Sequence, residues 1–255
     1  MKNVISLLIL IALVPAAFAN GVSLNSPGTR AISMGGAYIS IADDYSAPYW
    51  NPSGLMNIDG MQASIFVTDI IPMASYETTL PWATVDAEAE IQHMIAPNAA
   101  FLWTCTVNPD FHLGLSFIVP AGLGVEWNGD DLVAFSGPPA IIVGQDTVPN
   151  PYYGKTFDWE SSIAVFNISL SAAYRLTDCL NIGGAFHMVR GDMTMKRPVD
   201  AICVVPGIPQ DQIVESQYAE ESGGWGTGFG FGLQYMPVRD LTFAASIRTR
   251  MRSPG

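Results

Sequence analysis

Charged residues are scarce in this chain, and basic ones especially so. Only 13% of its 255 residues are charged, whereas soluble proteins carry about a quarter. The 23 acidic residues outnumber the 11 lysines and arginines, which gives a formal net charge of −12. Because binding to nucleic-acid phosphates needs a basic surface, this composition argues against a nucleic acid as partner.

Cysteine and histidine are too few and too scattered to indicate a metal site or a catalytic site. The cysteines are Cys105, Cys179 and Cys203, and the histidines are His93, His112 and His187. Neither set has the spacing of metal ligands, and no nucleophile motif accompanies a histidine. We therefore expect no enzyme, no metal and no cofactor. Whether two of the three cysteines pair in an oxidising compartment stays open.

Long apolar runs are missing except at the N-terminus. Lys2 precedes an apolar run over residues 4–14, and a small-residue pattern follows at 17–19. This is the pattern of a secretory signal peptide, and the run is shorter than the roughly 20 apolar residues of a membrane-spanning helix. We predict that residues 1–19 are a signal peptide and that the exported chain begins at Asn20.

Alternation of apolar with small or polar residues is the strongest pattern in the rest of the chain. It is clearest from Phe166 to Tyr174, where every second side chain is apolar and the others are small or polar. Such a period of two predicts β-strands with one apolar face. We predict seven strands, near residues 61–68, 98–107, 111–120, 161–176, 180–191, 227–236 and 240–251. The apolar runs are about ten residues long, as a tilted strand needs to cross a bilayer.

The connections between these strands alternate in length. Short turns lie at 108–110, 177–179 and 236–240, and long links rich in Gly, Pro and acidic residues cover 69–97, 121–160 and 192–226. Strands of period two also fit a soluble sandwich or a lipocalin-like barrel, but a sandwich seldom sorts its loops in this way. Outer-membrane barrels do, with turns in the periplasm and loops outside the cell. We therefore expect an all-β protein, an antiparallel transmembrane β-barrel of the outer membrane.

The predicted number of strands is odd, whereas bacterial single-chain barrels have an even number. An unpaired seventh strand would expose backbone hydrogen-bonding groups to lipid. We therefore expect residues 61–255 to be the first part of a barrel, a fragment whose C-terminal strands are missing.

Residues 20–60, before the first predicted strand, do not alternate and carry the densest motifs. These are Met34-Gly35-Gly36-Ala37-Tyr38, Ala42-Asp43-Asp44 and Trp50-Asn51-Pro52-Ser53-Gly54-Leu55. The segment resembles the N-terminal hatch of FadL/TodX-type transporters, in which small residues and an acidic pair lead into an Asn-Pro-Ala motif before the first strand. Ser53 stands where that family usually has alanine.

Further blocks of the sequence resemble the same family in the same order. They are Pro97-Asn98-Ala99-Ala100, Ser169-Leu170-Ser171-Ala172-Ala173-Tyr174-Arg175-Leu176, Gly224-Trp225-Gly226-Thr227-Gly228 and Ala245-Ser246-Ile247-Arg248-Thr249. The resemblance implies a fourteen-stranded barrel, plugged by its N-terminus, that takes up long-chain fatty acids or other hydrophobic compounds without energy input. About seven of those strands would be present here.

The resemblance also implies where the protein works. It would be exported to the outer membrane of a Gram-negative bacterium, inserted by the barrel-assembly machinery, and surrounded by outer-membrane lipid and lipopolysaccharide. Its ligands would be hydrophobic small molecules.

Two groups of site residues follow from the resemblance and the strand pattern. The hatch motif residues Gly35, Gly36, Asn51, Pro52 and Ser53 are expected to pack against the inner wall of the barrel. In the third predicted strand the alternation stops at Pro120, followed by Gly122 and Gly124. Proline lacks the N–H that a ladder requires. In the family a kink in this strand gives the ligand a sideways exit; alternatively, the strand simply ends there and meets its loop.

A third group is basic. The parity of the seventh strand turns Arg248 and Arg250 toward the barrel interior, where either side chain is a candidate ligand for the carboxylate of a fatty acid. Alternatively, these arginines neutralise Asp43 and Asp44 of the hatch, or lie at the rim beside lipopolysaccharide phosphates.

Two other functions compete with transport. The hatch motif also suits a PorV-like barrel that acts as a shuttle or assembly factor for secreted proteins. An outer-membrane phospholipase or protease would need a serine or aspartate paired with a histidine near the rim, and the sequence shows no such pairing. His112 and His187 fall on the small-residue face of their strands, where a hydrogen bond in the lumen is expected instead.

Overall fold

The computed structural model describes residues 27–143, 145–150, 153–154, 156, 158–199 and 216–249. The predicted signal peptide over residues 1–19 lies outside these ranges, and so does Arg250.

The described chain begins with short helical segments and continues as β-strands. The helices are α1 (Thr29–Ser33) and α2 (Ala47–Trp50), and 3-10 helices cover Pro52–Asn57 and Gly129–Ser136. The strands are β1 (Met61–Ile70), β2 (Ser75–Thr79), β3 (Thr84–Glu88), β4 (Met94–Thr104), β5 (Phe111–Trp127), β6 (Ala140–Val143), β7 (Asp146–Pro149), β8 (Trp159–Thr177), β9 (Leu180–Val199), β10 (Ser216–Val238) and β11 (Leu241–Arg248). Within the described ranges no helix has the length and apolar content of a membrane span.

Seven strands form one antiparallel sheet in the order β1-β4-β5-β8-β9-β10-β11, and the prediction of seven strands is confirmed. Two small hairpins, β2–β3 and β6–β7, lie in links that we predicted to be loops. Among the described residues β1 and β11 form the two edges, so the sheet is not closed.

The two faces of the sheet have the predicted alternation. On β8, Asn167 and Ser169 are almost completely buried, whereas Leu170 between Ser169 and Ser171 is 60% exposed. The segment of residues 27–60, which we call the hatch, contacts β5, β8, β9 and β10. We call the face of the sheet that carries these buried polar side chains the hatch face. The opposite, outer face exposes apolar side chains, as expected for a wall whose solvent is lipid rather than water.

Several predicted strand ends were wrong. β4 stops at Thr104, so Cys105 and Val107 lie in the turn, where the Cys105 N–H donates to the Phe111 carbonyl at 2.9 Å. β9 and β10 have 20 and 23 residues and extend well beyond the predicted 180–191 and 227–236, whereas β8 (Trp159–Thr177) is close to the predicted 161–176. The sequence did not predict these extensions because the apolar alternation ends where the strands become rich in polar residues and glycine, although the ladder continues.

The third predicted strand, β5, does not end at Pro120 but continues to Trp127. Its pairing with β8 shifts by one residue between Ile118 and Ala121, which is a β-bulge. The bulge accommodates Pro120, which has no N–H to give to the ladder.

Candidate functional site

The Asn51-Pro52-Ser53 motif is the point at which the hatch contacts the wall. Asn51 and Ser53 are completely buried. The Asn51 side-chain oxygen accepts hydrogen bonds from the Ser53 N–H at 3.1 Å and the Ser53 hydroxyl at 2.7 Å, which caps the 3-10 helix. The Asn51 amide nitrogen donates to the Ile39 carbonyl at 3.0 Å and to the Leu233 carbonyl of β10 at 3.4 Å. One side chain therefore joins two parts of the hatch to the wall.

Two glycines of the wall form the seat for this motif. A Cβ atom on Gly183 would lie 2.7 Å from Ser53 Cα, and one on Gly232 would lie 3.0 Å from Pro52 Cδ. Real Cβ atoms almost never come within 3.0 Å of another atom, so the hatch backbone fits against Gly183 only because that residue has no side chain. At Gly232 a Cβ would be unusually close to Pro52 and would overlap the Asn51 side chain.

Polar side chains of the wall satisfy the backbone of the hatch on either side of this seat. His112 Nδ1 lies 2.7 Å from the Leu55 carbonyl, and the Gln234 amide donates to the Ser40 carbonyl at 3.0 Å. Since buried carbonyl groups need donors, the hatch is matched to this particular face. The predicted lumen hydrogen bond of His112 is therefore present.

Gly35 and Gly36 do not make the close approach to the wall that we predicted. Their φ angles are 62° and 84°, a left-handed conformation that favours glycine. Nothing lies within 4 Å of a Cβ on Gly35, and the nearest atom to one on Gly36 belongs to Trp50 at 3.8 Å. These glycines let the chain turn after α1, and their contribution is conformational.

The acidic pair of the hatch is bound within the hatch itself. Asp43 accepts a hydrogen bond from the Tyr38 hydroxyl at 2.8 Å and forms an ion pair with Arg30 at 2.5 Å, and Asp44 accepts from Ser46. Burial opposes ionisation of Asp43, but hydrogen bonds from Arg30 and Tyr38 outweigh it and hold its pKa below the ordinary value. Burial, together with the bond to Asp43, raises the pKa of Tyr38.

Arg248 faces the hatch, as the parity of β11 predicted, but it does not pair with the acidic residues. Its guanidinium carbon lies 4.1 Å from the centre of the Tyr49 ring, and Nη2 donates to the Tyr49 carbonyl. Such a cation over an aromatic face is attractive by about 0.5 to 2 kcal/mol. Arg248 therefore holds α2 of the hatch against the wall and remains exposed on its other side.

A gap in the hydrogen-bond ladder lies between β4 and β5. The ladder between these strands ends at the pair Ala99–Phe117, although β4 continues to Met94 beside β1 and β5 continues to Trp127 beside β8. The two chains meet again where the Glu90 N–H donates to the Glu126 carbonyl at 2.8 Å. We call the interval between residues 94–98 and residues 118–124 the window.

The predicted kink residues line the window. Pro120 lies within the bulge, and Gly122 and Gly124 follow it on β5. Met94 reaches across from β4, so that a Cβ on Gly124 would lie 3.1 Å from its terminal carbon. The end of the window near Gly124 is therefore bordered by small residues and covered by the flexible Met94 side chain.

One pairing was not visible in the sequence. The register of β8 and β9 places Ser169 beside His187, with the serine oxygen 2.6 Å from Nδ1. Both side chains are buried on the hatch face, at 0% and 1% exposure. A hydrolytic nucleophile needs access to its substrate, so the pair is a lumen hydrogen bond, the role predicted for His187.

The seat glycines were not predicted from the sequence, and neither was the contact of Asn98, whose side-chain oxygen accepts a hydrogen bond from the Val119 N–H across the window at 3.0 Å. Gly183 and Gly232 alternate with outward-facing apolar residues along their strands, so the period of two places them on the hatch face. This alternation is the signal in the sequence that could have identified them. Asn98 lies in the block Pro97-Asn98-Ala99-Ala100, which was noted only for its resemblance to the family. Its contact with β5 was not predictable because it depends on where the ladder between β4 and β5 ends.

The sequence of the chain is similar to that of known outer-membrane proteins. It matches the sequence profile described as Outer membrane protein transport protein (OMPP1/FadL/TodX) over residues 10–139 and 143–253. The comparison with curated proteins gave no significant match.

Solved structures of outer-membrane transporters share its fold. The toluene transporter TbuX of Ralstonia pickettii is 19% identical, with a TM-score of 0.68 over 90% of this chain and 58% of that one. The toluene transporter TodX of Pseudomonas putida is 17% identical, with a TM-score of 0.64 over 89% of this chain and 56% of that one. A FadL homologue of Pseudomonas aeruginosa is 16% identical, with a TM-score of 0.60 over 91% of this chain and 53% of that one.

The chain thus spans little more than half the length of these solved proteins. The family resemblance of its motifs is confirmed, and so is the antiparallel barrel wall that the strand pattern predicted. Because the profile matches nearly the whole sequence, the chain belongs to the OMPP1/FadL/TodX family of outer membrane transport proteins.

Proposed function

We propose that this protein is part of an outer-membrane channel for the passive uptake of hydrophobic small molecules. The observation that carries the proposal is the window between β4 and β5, which interrupts the wall beside a seated hatch. Membership of a family of transport proteins supports it, and two of the solved relatives are described as toluene transporters.

The geometry suits a sideways exit for an apolar ligand. The hatch is bound to the wall through the motif around Asn51 and covers the hatch face of β5, β8, β9 and β10. A ligand that leaves through the window enters the membrane without displacing the hatch. Met94 and Ala121 offer it apolar contact at the window, and each Å² of apolar surface kept from water is worth about 25 cal/mol. The binding at each step is weak enough for the ligand to leave.

In this proposal the bulge at Pro120 prevents β5 from continuing its ladder with β4, and this interruption of the ladder opens the wall. Replacing Pro120, Gly122 and Gly124 with strand-forming residues such as valine would favour a regular ladder between β4 and β5. We expect uptake to fall while the level of folded protein in the outer membrane stays the same. Unchanged uptake by this triple variant would contradict a sideways exit.

The class of substrate is tested by uptake with two probes. Cells that lack other hydrocarbon channels and express the full-length gene would be given labelled oleate or labelled toluene. Uptake of either probe above that of cells with an empty vector supports the proposed channel. Uptake of neither would contradict it.

A fatty acid would require a partner for its carboxylate, and Arg248 and Arg250 are our candidates. Arg248 lies over Tyr49 yet keeps an exposed side, and Arg250 lies outside the described residues. The double change to glutamine is expected to weaken binding of oleate selectively if the arginines hold the carboxylate. Equal loss for oleate and toluene would instead indicate that the arginines only support the hatch.

The alternative function, a shuttle or assembly factor for secreted proteins, finds no support in the comparisons. No contact among the described residues favours it over a channel.

A further inference from the structure

The window is crossed by a side chain where the ladder would have had a backbone hydrogen bond. Asn98 lies on β4, one residue beyond the last ladder pair Ala99–Phe117. Its side-chain oxygen accepts a hydrogen bond from the Val119 N–H at 3.0 Å. Val119 immediately precedes Pro120 and lies within the bulge, where the register with β8 shifts. The wall at this point is held together by a side chain and not by its backbone.

The orientation of Asn98 is fixed. Its amide nitrogen donates to the Ala96 carbonyl on the same strand at 3.1 Å, which leaves the oxygen directed at β5. The residue is only 3% exposed. Because the Val119 N–H is a donor, only the oxygen of the amide satisfies it, so the two bonds assign the amide without ambiguity.

The surroundings of this bond offer little other resistance to opening. Ala96, Val119 and Ala121 are apolar, and Met94 covers Gly124 with a side chain that has several rotatable bonds. A single ordinary hydrogen bond contributes modestly to stability. A closure of this strength opens readily, unlike a continuous ladder.

We propose that Asn98 is the latch of the window, so that its hydrogen bond to Val119 holds β4 and β5 together when no ligand is passing. This inference rests on the proposed function, since it assigns regulation to the proposed exit. A passing apolar ligand separates the two strands, displaces Met94 and breaks this one bond, and the bond re-forms behind it.

The test uses Asn98→Leu, which keeps the size of the side chain but has no acceptor, and Asn98→Ala, which also removes the bulk. The matched control is Asn167→Leu. Asn167 is another buried asparagine on the hatch face, 1% exposed, and it lies on β8, where it pairs with Ile118 just before the bulge and its ladder to β9 continues past it. Its side chain bonds to Ser169 and His187 and not across the window. All variants are first checked for equal amounts of folded protein in the outer membrane.

Two measurements are made on the full-length protein. Amide hydrogen exchange of the peptide that contains Val119 reports on the latch directly, and toluene uptake by cells reports on the exit. Both Asn98 variants are expected to raise exchange and uptake by about 2- to 10-fold, as loss of one ordinary hydrogen bond would. Asn167→Leu is expected to change neither.

The possible outcomes distinguish a failure of the proposed latch from a failure of the proposed channel. If the wild type takes up toluene and the Asn98 variants match it in uptake or in exchange, the latch is refuted and the channel stands. An equal effect of Asn167→Leu also refutes the latch. If the wild type takes up neither toluene nor oleate, the proposed function itself fails.

Discussion

The seat of the hatch is tested most directly by adding one methyl group to Gly183. In Gly183→Ala the new Cβ would lie 2.7 Å from Ser53 Cα and would also overlap backbone atoms of Pro52 and Ser53. Ordinary contact begins at about 3.4 Å, so the hatch must move by roughly 1 Å. The obstacle is backbone, which cannot rotate away as a flexible side chain does.

The expected cost follows from what this movement breaks. Overpacking in a well-packed core costs about 1 to 3 kcal/mol, and we expect the upper end because the obstacle is rigid. The hydrogen bond from Asn51 to the Leu233 carbonyl is already 3.4 Å long, so it is lost first. A cost of about 3 kcal/mol lowers the fraction of seated hatch about a hundredfold relative to the displaced state.

Gly184→Ala is the matched control. Gly184 is the next residue of the same strand but faces outward, and the nearest atom to its Cβ would be the Gly230 carbonyl oxygen at 3.9 Å. Its substitution adds the same methyl group without a clash. Any general effect of alanine in β9 is therefore shared by both variants.

The assay is limited proteolysis of the hatch in outer-membrane vesicles opened to the periplasmic side, with the amount of folded barrel measured by heat-modifiable gel migration. Gly183→Ala should expose the hatch to cleavage at a wild-type level of folded wall, and Gly184→Ala should not. Equal protection in the two variants, at equal amounts of folded protein, would refute the close seating of the hatch.

Three further predictions follow. Leu170→Arg places a charge on the outer face at a cost of about 2 to 4 kcal/mol at the bilayer midplane, so the folded fraction in heat-modifiability gels should fall; a normal fraction would contradict a lipid-facing Leu170. Leu55→Ala removes a buried hatch side chain, a change that costs about 2 to 5 kcal/mol; hatch cleavage should rise, and unchanged protection would show that this packing is unimportant. Because the pKa of Asp43 is depressed in the folded state, its contribution is present above the ordinary carboxyl pKa of about 4 and is lost as pH falls through the folded value. Hatch cleavage by an acid-active protease should therefore increase with acidification in the wild type, and Asp43→Asn should flatten this dependence; an identical pH profile in the variant would assign the effect elsewhere.

Much of the fold was predictable because its information is local. Alternation over residues such as Phe166 and Leu170 identifies a strand and assigns both its faces, and the sheet has the seven strands expected from it. The inward direction of Arg248 followed from parity alone, and its contact with Tyr49 agrees with that direction. The hatch motif was recognisable by resemblance because Asn51, Pro52 and Ser53 are consecutive.

The same reasoning failed where a residue's role depends on another strand. Gly35 and Gly36 are small enough to pack closely against the wall, yet they lie in a turn without a close contact around them. The size of a glycine therefore does not by itself predict what it contacts. Pro120 looked like the end of a strand because it cannot donate to a ladder, whereas pairing with β8 carries β5 through a bulge to Trp127.

The sequence by itself determined the period of the strands, the apolar outer face, the order of tight turns and long links, and the family. Only the tertiary structure decided that Gly183 and Gly232 seat the hatch, that Ser169 meets His187, and that Asn98 crosses a window. The physical reason is that a period of two is a property of consecutive residues, whereas a seat, a hydrogen-bonded pair and a gap in a ladder are properties of register. Register is fixed by the joint fit of strands and hatch, which brings Asn51 to Leu233 across 182 positions of the chain.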